Sequence, residues 1–434
     1  MEVREPFAQY LGALHRTELG ELPADWKVVS LGMFEPFVTS GSRGWATYYA
    51  EIGSPFLRIT NLSRLCIYPS LKDLRYVAVP LDNSEGVRTA LKAGDVLISI
   101  TADIGIIGFV TDEIDLPAYI NQHIALVRVP NEDVNSRYIA YFLAGEAAQR
   151  RFKSMTDAGA KAGMNLAGIR EVLAAIPPTI DEQSAIADAL TDADALIDTL
   201  EQMLTKKRQI KQGAMQELLT GKRRLSGFVQ EWSAQLLRDI AEMKSGEGIT
   251  SEQLSDTHPY PCFGGNGLRG YAQSFTHDGQ FALVGRQGAL CGNVALARGK
   301  FFASEHAVVV TPGASVDIVW LHYVLVRMNL NQYSESSAQP GLSVEKLMHL
   351  NVLVPEPSEQ TAIAQVLSDI DTDVTALESR LTKARAVKQA MVQALLTGRI
   401  RLPIGTKDPA MPVSPPKGGR ALWSDQACAQ EPTV

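Results

Sequence analysis

The sequence predicts an α+β protein. Two mixed, β-rich domains with helices are separated by two long antiparallel helices that form a coiled-coil spacer, and the whole is a pseudo-two-fold internal repeat. Three observations predict it. Residues 182–225 return as residues 359–402 at a constant offset of 177 positions, without a gap and with about half the positions identical. Inside each copy the apolar positions step by four and three, the period near 3.5 that a helix seam requires. Each copy is preceded by short β-rich runs and then a helical pattern, and these two preceding segments share little sequence.

Residues 1–18 read as a short amphipathic helix, with Phe7, Leu11 and Leu14 at helical spacing. The first variable segment, 19–175, places strands near 56–59, 95–100, 106–110 and 123–129, bounded by Gly, Pro and Asn, and a helix near 136–152. The first spacer copy, 176–225, follows Pro177 and Pro178, with Asp181 as N-cap and Glu182 at the positive end of the helix dipole. Its seam is Ile186, Leu190, Ala193, Ile197, Leu200 and Leu204, and Gly221 ends it. The second variable segment, 226–352, opens with Trp232 and Leu237, echoing Trp26 and Leu31. It places strands near 281–284, 293–297 and 307–311 and a helix near 316–328. The second spacer copy, 353–402, has Ser358 as N-cap, then Glu359, a seam of Ile363, Leu367, Ile370, Val374, Leu377 and Leu381, and Gly398 at its end. Each helix should run roughly 37 residues, or about 55 Å. A helix that long with one narrow apolar stripe needs a partner, and the other copy is the obvious one. The identity also covers Lys206, Arg208, Lys211 and Gln212, which a core seam alone does not need. Residues 403–434 are rich in Pro, Gly and Ala with little periodicity, so disorder is expected there.

Composition is ordinary for a soluble protein, with 45% hydrophobic and 21% charged residues. No apolar run reaches a membrane span and no signal-peptide pattern opens the chain, so a cytoplasmic location is expected. Cys66, Cys262, Cys291 and Cys428 are scattered, which fits a reduced compartment and argues against structural zinc. The net charge of −7 weighs against a non-specific nucleic-acid binder, although an average hides local basic patches.

The combination resembles the specificity (S) subunits of type I DNA restriction–modification systems. The features that carry it are the LP-x-x-W-x-x-x-x-L opening at residues 22–31 with its partial echo at 228–237, and the P-P-x-x-x-EQ-x-x-I-A-x-x-L helix start at 177–190. The second start, at 355–367, reads P-x-P-x-EQ instead. LLTG-x-x-R-L endings at 218–225 and 395–402, and the run YPCFGGNGLRGY followed by LVGRQGALCGNV, complete it. The resemblance implies two target-recognition domains that each read half of a split sequence in double-stranded DNA. It implies helices that dock methyltransferase (M) subunits, two per S subunit, and an endonuclease (R) subunit that joins them in some systems. S-adenosylmethionine, and ATP with Mg where an R subunit exists, then belong to those partners, and this chain binds no cofactor or metal and does no chemistry. Readers one helical turn apart sit about 34–36 Å from each other, a distance that a spacer of about 55 Å spans. The target should be bipartite and asymmetric, with a non-specific gap of roughly half of a turn of about 10 base pairs.

Base readout needs side chains with paired donors and acceptors, and backbone positioning needs cations and hydroxyls. In the first segment the candidates are Arg43, Arg58, Thr60, Asn61, Arg64, Ser99, Thr101, Asn121 and Gln122, with Asp103 and His123 beside them. In the second they are Asn266, Arg269, Tyr271, Arg286, Gln287 and Asn293, with His306 beside them. Any one of these is alternatively a turn residue satisfying local backbone, but a Gly on each side of Arg286–Gln287 favours an exposed reading pair, and Arg43 between Gly41 and Gly44 is a similar case. The LTGKRRL ending is either a phosphate contact or a structural joint.

Other functions find less support. Residues 263–267, FGGNG, fit the cofactor loop of adenine methyltransferases, but no N-P-P-[YF] or D-P-P-[YF] run accompanies them. A P-loop is absent, and Glu242-Met243-Lys244 lacks an upstream acid at nuclease spacing, since Asp239 is too close. An interaction scaffold with degenerate recognition domains is the remaining alternative, motivated by the acidic charge.

Overall fold

The protein is described from a computed structural model, which covers residues 8–9, 12–41, 43–80, 82–130, 134–157, 164–265, 267–288, 291–334 and 341–403. The chain divides into two units, residues 1–191 with 389–434, and residues 192–388. The division runs through both long helices.

In the first unit, strands β1 (Phe37–Ser40), β2 (Val96–Ser99), β3 (Ile107–Phe109) and β4 (Ile124–Arg128) form an antiparallel sheet in the order β3-β2-β4-β1. Val96, Ile98, Ala125 and Val127 point to one core and Leu97, Ile124 and Leu126 to another, so both faces of the sheet are covered. This explains why these strands read as continuous apolar runs rather than alternating ones. Helix α1 (Ser136–Ala144) packs on this sheet, and the predicted single helix here breaks at Gly145.

The second unit repeats the plan. Strands β5 (Ala241–Ser245), β6 (His277–Gly285), β7 (Val294–Ala303) and β8 (Ala307–Pro312) run antiparallel in the order β7-β6-β8-β5. Here the sheet continues past β7 into Tyr260–Gly264 and Gly267–Ala272. Helix α3 (Ile318–Arg327) takes the place of α1. A two-stranded ladder closes each unit, Lys27–Ser30 with Leu173–Ile176 and Ser233–Leu236 with Asn351–Val354. The echo of Trp26 and Leu31 in Trp232 and Leu237 is thus an echo of position, and both leucines are fully buried.

The long helices are α2 (Ile180–Leu218) and α4 (Pro357–Leu395). The predicted caps Asp181 and Ser358 lie one residue inside. Thr179 Oγ1 accepts the Glu182 amide at 3.2 Å, and Pro357 opens α4 at a position where its missing N–H costs nothing. Within the second unit the helices meet along Ile197, Leu200, Leu204, Val374, Leu377 and Leu381, as the heptad pattern predicts. Ile186 and Leu190 depart from that expectation and join the core of the first unit, while Ile363 and Leu367 join the core of the second. The first turns of each helix are therefore domain elements, and only the middle is a seam.

Exchange explains why Arg208 and Lys211 recur. Arg208 pairs with Glu378 and Arg385 with Glu201, both at 2.6 Å, and each residue lies 177 positions from its counterpart. Lys211–Asp371 and Lys388–Asp194 repeat the exchange, and the falling partner numbers make the pairing antiparallel. The motif Glu-Gln at each helix start is tied in the same way. Arg224 holds Glu359 and Arg401 holds Glu182, in each case through two guanidinium nitrogens. Gln183 Oε1 accepts the Asn135 amide and Gln360 Oε1 the Asp317 amide, both at 2.8 Å, anchoring the starts of α1 and α3. Burial raises the Glu182 carboxyl above its ordinary value, and Arg401 opposes the rise. Of the two readings of LTGKRRL, Arg224 thus takes the structural one. Gly221 and Gly398 adopt left-handed φ values of 69° and 64° after the helix ends, and a Cβ on Gly398 would come within 2.4 Å of Pro23.

The predicted helix over residues 1–18 is not found among the described residues. Ala8–Gln9 pairs with Ile400–Arg401, and Leu14–Thr17 forms a hairpin with Gly20–Pro23. Gly20, at φ 111°, supplies the turn, and three apolar residues are too short a pattern to outweigh it. Phe7, Leu11 and the expected disordered tail beyond Pro403 lie outside the described residues.

Candidate nucleic-acid interface

At the ends of the central strands the two units share a backbone frame, hydrogen bond for hydrogen bond. The amide after the edge strand bonds into the start of the inner strand, as Gly41 N to Ile124 O and Gly246 N to Ala307 O. Ile100 N bonds His123 O and Arg286 N bonds His306 O, both at 2.9 Å. Met164 N bonds Ile100 O at 2.9 Å, and Leu342 N bonds Arg286 O at 3.0 Å. Ser99 accepts from Gly105, as Gly285 accepts from Gly292. The edge strand passes so close that a Cβ on Gly41 would lie 2.0 Å from Ile120 O, and one on Gly246 2.2 Å from Ala303 O. Ala102 and Gly288 occupy the same loop position, and both have positive φ, 62° and 81°.

This frame brings one histidine in each unit between two polar neighbours. In the first, His123 Nδ1 bonds Thr101 Oγ1, and Gln122 Nε2 lies 3.0 Å from His123 Nε2. In the second, His306 Nδ1 lies 3.0 Å from Gln287 Oε1, and Nε2 lies 3.1 Å from Glu305 Oε1. Thr101 thus corresponds to Gln287, and Gln122 to Glu305. The first triad opens into a cleft of about 540 Å³ lined also by Ser40, Gly41, Arg43, Glu85 and Arg88. Arg43 is exposed at the start of a 3-10 helix, and Arg88 bonds Thr39 Oγ1 and Ser40 O, a cation that the sequence reading missed. Beside the second triad, Arg286 Nη1 donates to Ser245 Oγ at 2.9 Å. Gly265 packs on the Arg286–Gln287 backbone, with Arg269 next along the same hairpin.

Of the predicted readers, the structure gathers Arg43, Thr101 and Gln122 in one place and Arg286 and Gln287 in another, while Arg269 reaches Ile249 O at 3.5 Å. Asn61 and Ser99 are corrected. Asn61 is 3% exposed, accepts the Arg58 amide and donates to Ser70 O, so its edge is spent on its own turn. Ser99 is fully buried between Asp103 O and Ile106 N. Arg64 clamps the Asp103 carboxylate and Ile104 O, and Arg58 donates to Asp73 O, so both brace loops. Asn121 accepts the His123 amide in a tight turn. Thr60 and Asn293 are exposed, the latter just before β7, and Tyr271 is half-buried in the hairpin strand. Asn266 lies outside the described residues. Of the FGGNG run, Phe263 and Gly264 end one strand of a β-hairpin and Gly267, at φ 84°, begins the other. Glu242 and Lys244 pair with each other on the edge strand β5.

A family model of the type I restriction modification DNA specificity domain matches residues 54–212 and again 230–384. The chain belongs to this family. The two matches fall one on each repeat, so each histidine triad lies in its own specificity domain. The specificity subunit of the type I restriction enzyme EcoprrI from Escherichia coli is 44% identical over 164 residues, covering 37% of this chain and 40% of that protein. The chain therefore spans less than half the length of that relative. A putative specificity subunit, MjaX, from Methanocaldococcus jannaschii is 22% identical over 420 residues, covering 89% of this chain and 96% of that one. The fold is shared with the crystal structure of the S subunit from M. genitalium, at a TM-score of 0.62 and 13% identity, over 85% of this chain and 96% of that one. Among the described residues no helix is long and apolar enough to cross a membrane.

Proposed function

We propose that this specificity chain reads a bipartite, asymmetric DNA sequence, one half-site per domain, and carries no catalysis of its own. The observation that carries the reading is the strand-end frame, which occurs twice with the same hydrogen bonds and different side chains. Two like readers with unlike chemistry address two half-sites that differ. The partners on this reading are double-stranded DNA and two M subunits docked on the helices, with an R subunit where the host encodes one. Transfer of a methyl group to adenine N6 from S-adenosylmethionine then belongs to the M subunits, and ATP-driven steps belong to the R subunit. The setting is the cytoplasm.

Mapping N6-methyladenine across the host genome by long-read sequencing, with and without the gene, tests this. The expected result is one split motif that loses methylation in the deletion strain. An unchanged pattern would overturn it and leave a scaffold whose helices bind something else.

A further inference from the structure

The frame equates positions in the two domains bond by bond, and so identifies where the two readers diverge. Gln122 and Glu305 sit on the same side of equivalent histidines, two residues before equivalent strands. The amide presents a donor and an acceptor. With one N–H directed at His123, the other N–H and Oε1 remain for a base, which suits the N6 and N7 edge of adenine. The carboxylate only accepts. Oε1 faces His306 and Oε2 takes the Ile249 amide at 3.3 Å, and each oxygen keeps a lone pair for an exocyclic amine such as cytosine N4.

We propose that residue 122 in the first domain and residue 305 in the second are corresponding specificity-determining positions, with Gln122 reading an adenine in one half-site and Glu305 a cytosine in the other. His123 and His306 are positioning residues that hold these groups, and Thr101 and Gln287 brace the histidines from the far side. The proposal rests on the DNA-reading function above. All six side chains are at least partly solvent-exposed, so a base edge reaches them without unfolding the loop.

The test exchanges the two groups. Gln122→Glu and Glu305→Gln are isosteric, the frame's own hydrogen bonds run between main-chain groups, and the amide that replaces Glu305 keeps an oxygen for the Ile249 N–H. Each variant is expressed with its methyltransferase partner in a host deleted for the chain, and N6-methyladenine is mapped. Gln122→Glu is expected to change one base pair of one half-site from A·T toward C·G, a swing of about 5- to 150-fold in preference, leaving the other half-site intact. Glu305→Gln should do the converse in the other half-site. His306→Gln should keep the wild-type motif, because its amide reaches the place from which Nε2 holds Glu305, whereas His306→Ala should relax the same single position. Unchanged motifs in both exchange variants, or equal weakening of both half-sites, would overturn the assignment. If the wild-type chain itself directs no split motif, the DNA-reading function fails, and this inference with it.

Discussion

Between the long helices, Arg208–Glu378 recurs as Arg385–Glu201 and Lys211–Asp371 as Lys388–Asp194. At the strand ends the hydrogen bonds recur, but Thr101 becomes Gln287 and Gln122 becomes Glu305. The difference lies in what each region uses to hold its shape. A seam between two copies of one helix closes through side chains, so each residue type must suit its counterpart in both copies. A loop closed by main-chain N–H and C=O groups satisfies its own polar atoms and leaves the side chains unassigned. One region is therefore constant in chemistry, the other in geometry.

Four measurements break or sharpen this contrast. The largest effect is expected in the seam. Leu200 is 2% exposed among Leu204, Leu377 and Leu381, so Leu200→Asp should cost more than about 3 kcal/mol in chemical denaturation. Thr101→Val, in the loop, should stay within about 1 kcal/mol. Similar losses from the two would erase the distinction.

The exchanged ion pairs should themselves divide by burial. Asp194 and Lys388 have side chains only 5% and 14% exposed, against 46–59% for the Arg208–Glu378 and Arg385–Glu201 pairs. Asp194→Ala should cost about 3 kcal/mol and Glu378→Ala less than about 1. Replacing both Asp194 and Lys388 with leucine should recover most of the loss, and failure to recover would mean that charge rather than shape is needed there.

A pH titration separates the two recognition domains. His322 on α3 stands where α1 has Ala140, and burial, aided by Lys211, lowers its pKa to about 4, against the pull of Asp371. The folded form refuses a proton that the unfolded chain takes up below about 6.5. Stability of the second unit should thus fall as pH drops from about 6.5 to 4, by up to about 3 kcal/mol. His322→Ala should flatten that slope, and an equal slope in the variant would point to another group.

The smallest effects test the shared frame. Gly41→Ala and Gly246→Ala place a methyl against backbone oxygen and should each cost about 2 kcal/mol, read as a fall in melting temperature. Gly44→Ala and Gly248→Ala meet nothing within 4 Å and should stay within about 0.5 kcal/mol. A tolerated Gly246→Ala beside a damaging Gly41→Ala would show that the frames are not equivalent.

The sequence made the long helices legible because a 3.5-residue apolar period and an ungapped repeat are local signals. It also made the β-rich segments legible as apolar runs. It did not reveal that Ile186 and Leu190 leave the seam for a domain core, because the apolar stripe looks the same whichever surface covers it. It misread residues 14–17 as helix, since their pairing lies in a hairpin closed by Gly20. Among the readers, Asn61 and Ser99 carried suitable chemistry, but their burial depends on Ser70 and Ile106, contacts that composition does not announce. Arg88 went unnoticed because it sits in a short helix with no Gly or Asn beside it to mark a loop. Asn121-Gln122-His123 and Ser304-Glu305-His306 are weakly similar runs before a strand in each half, and only the backbone bonds made that likeness an alignment.

The glycines at 41 and 246 carry a consequence for how such a protein changes over generations. With the peptide path fixed by positions that no side chain can occupy, a codon change at 122 or 305 can alter an address without first finding a compensating mutation. On the proposed function, every methyl mark that this chain directs would then move at once to the new address.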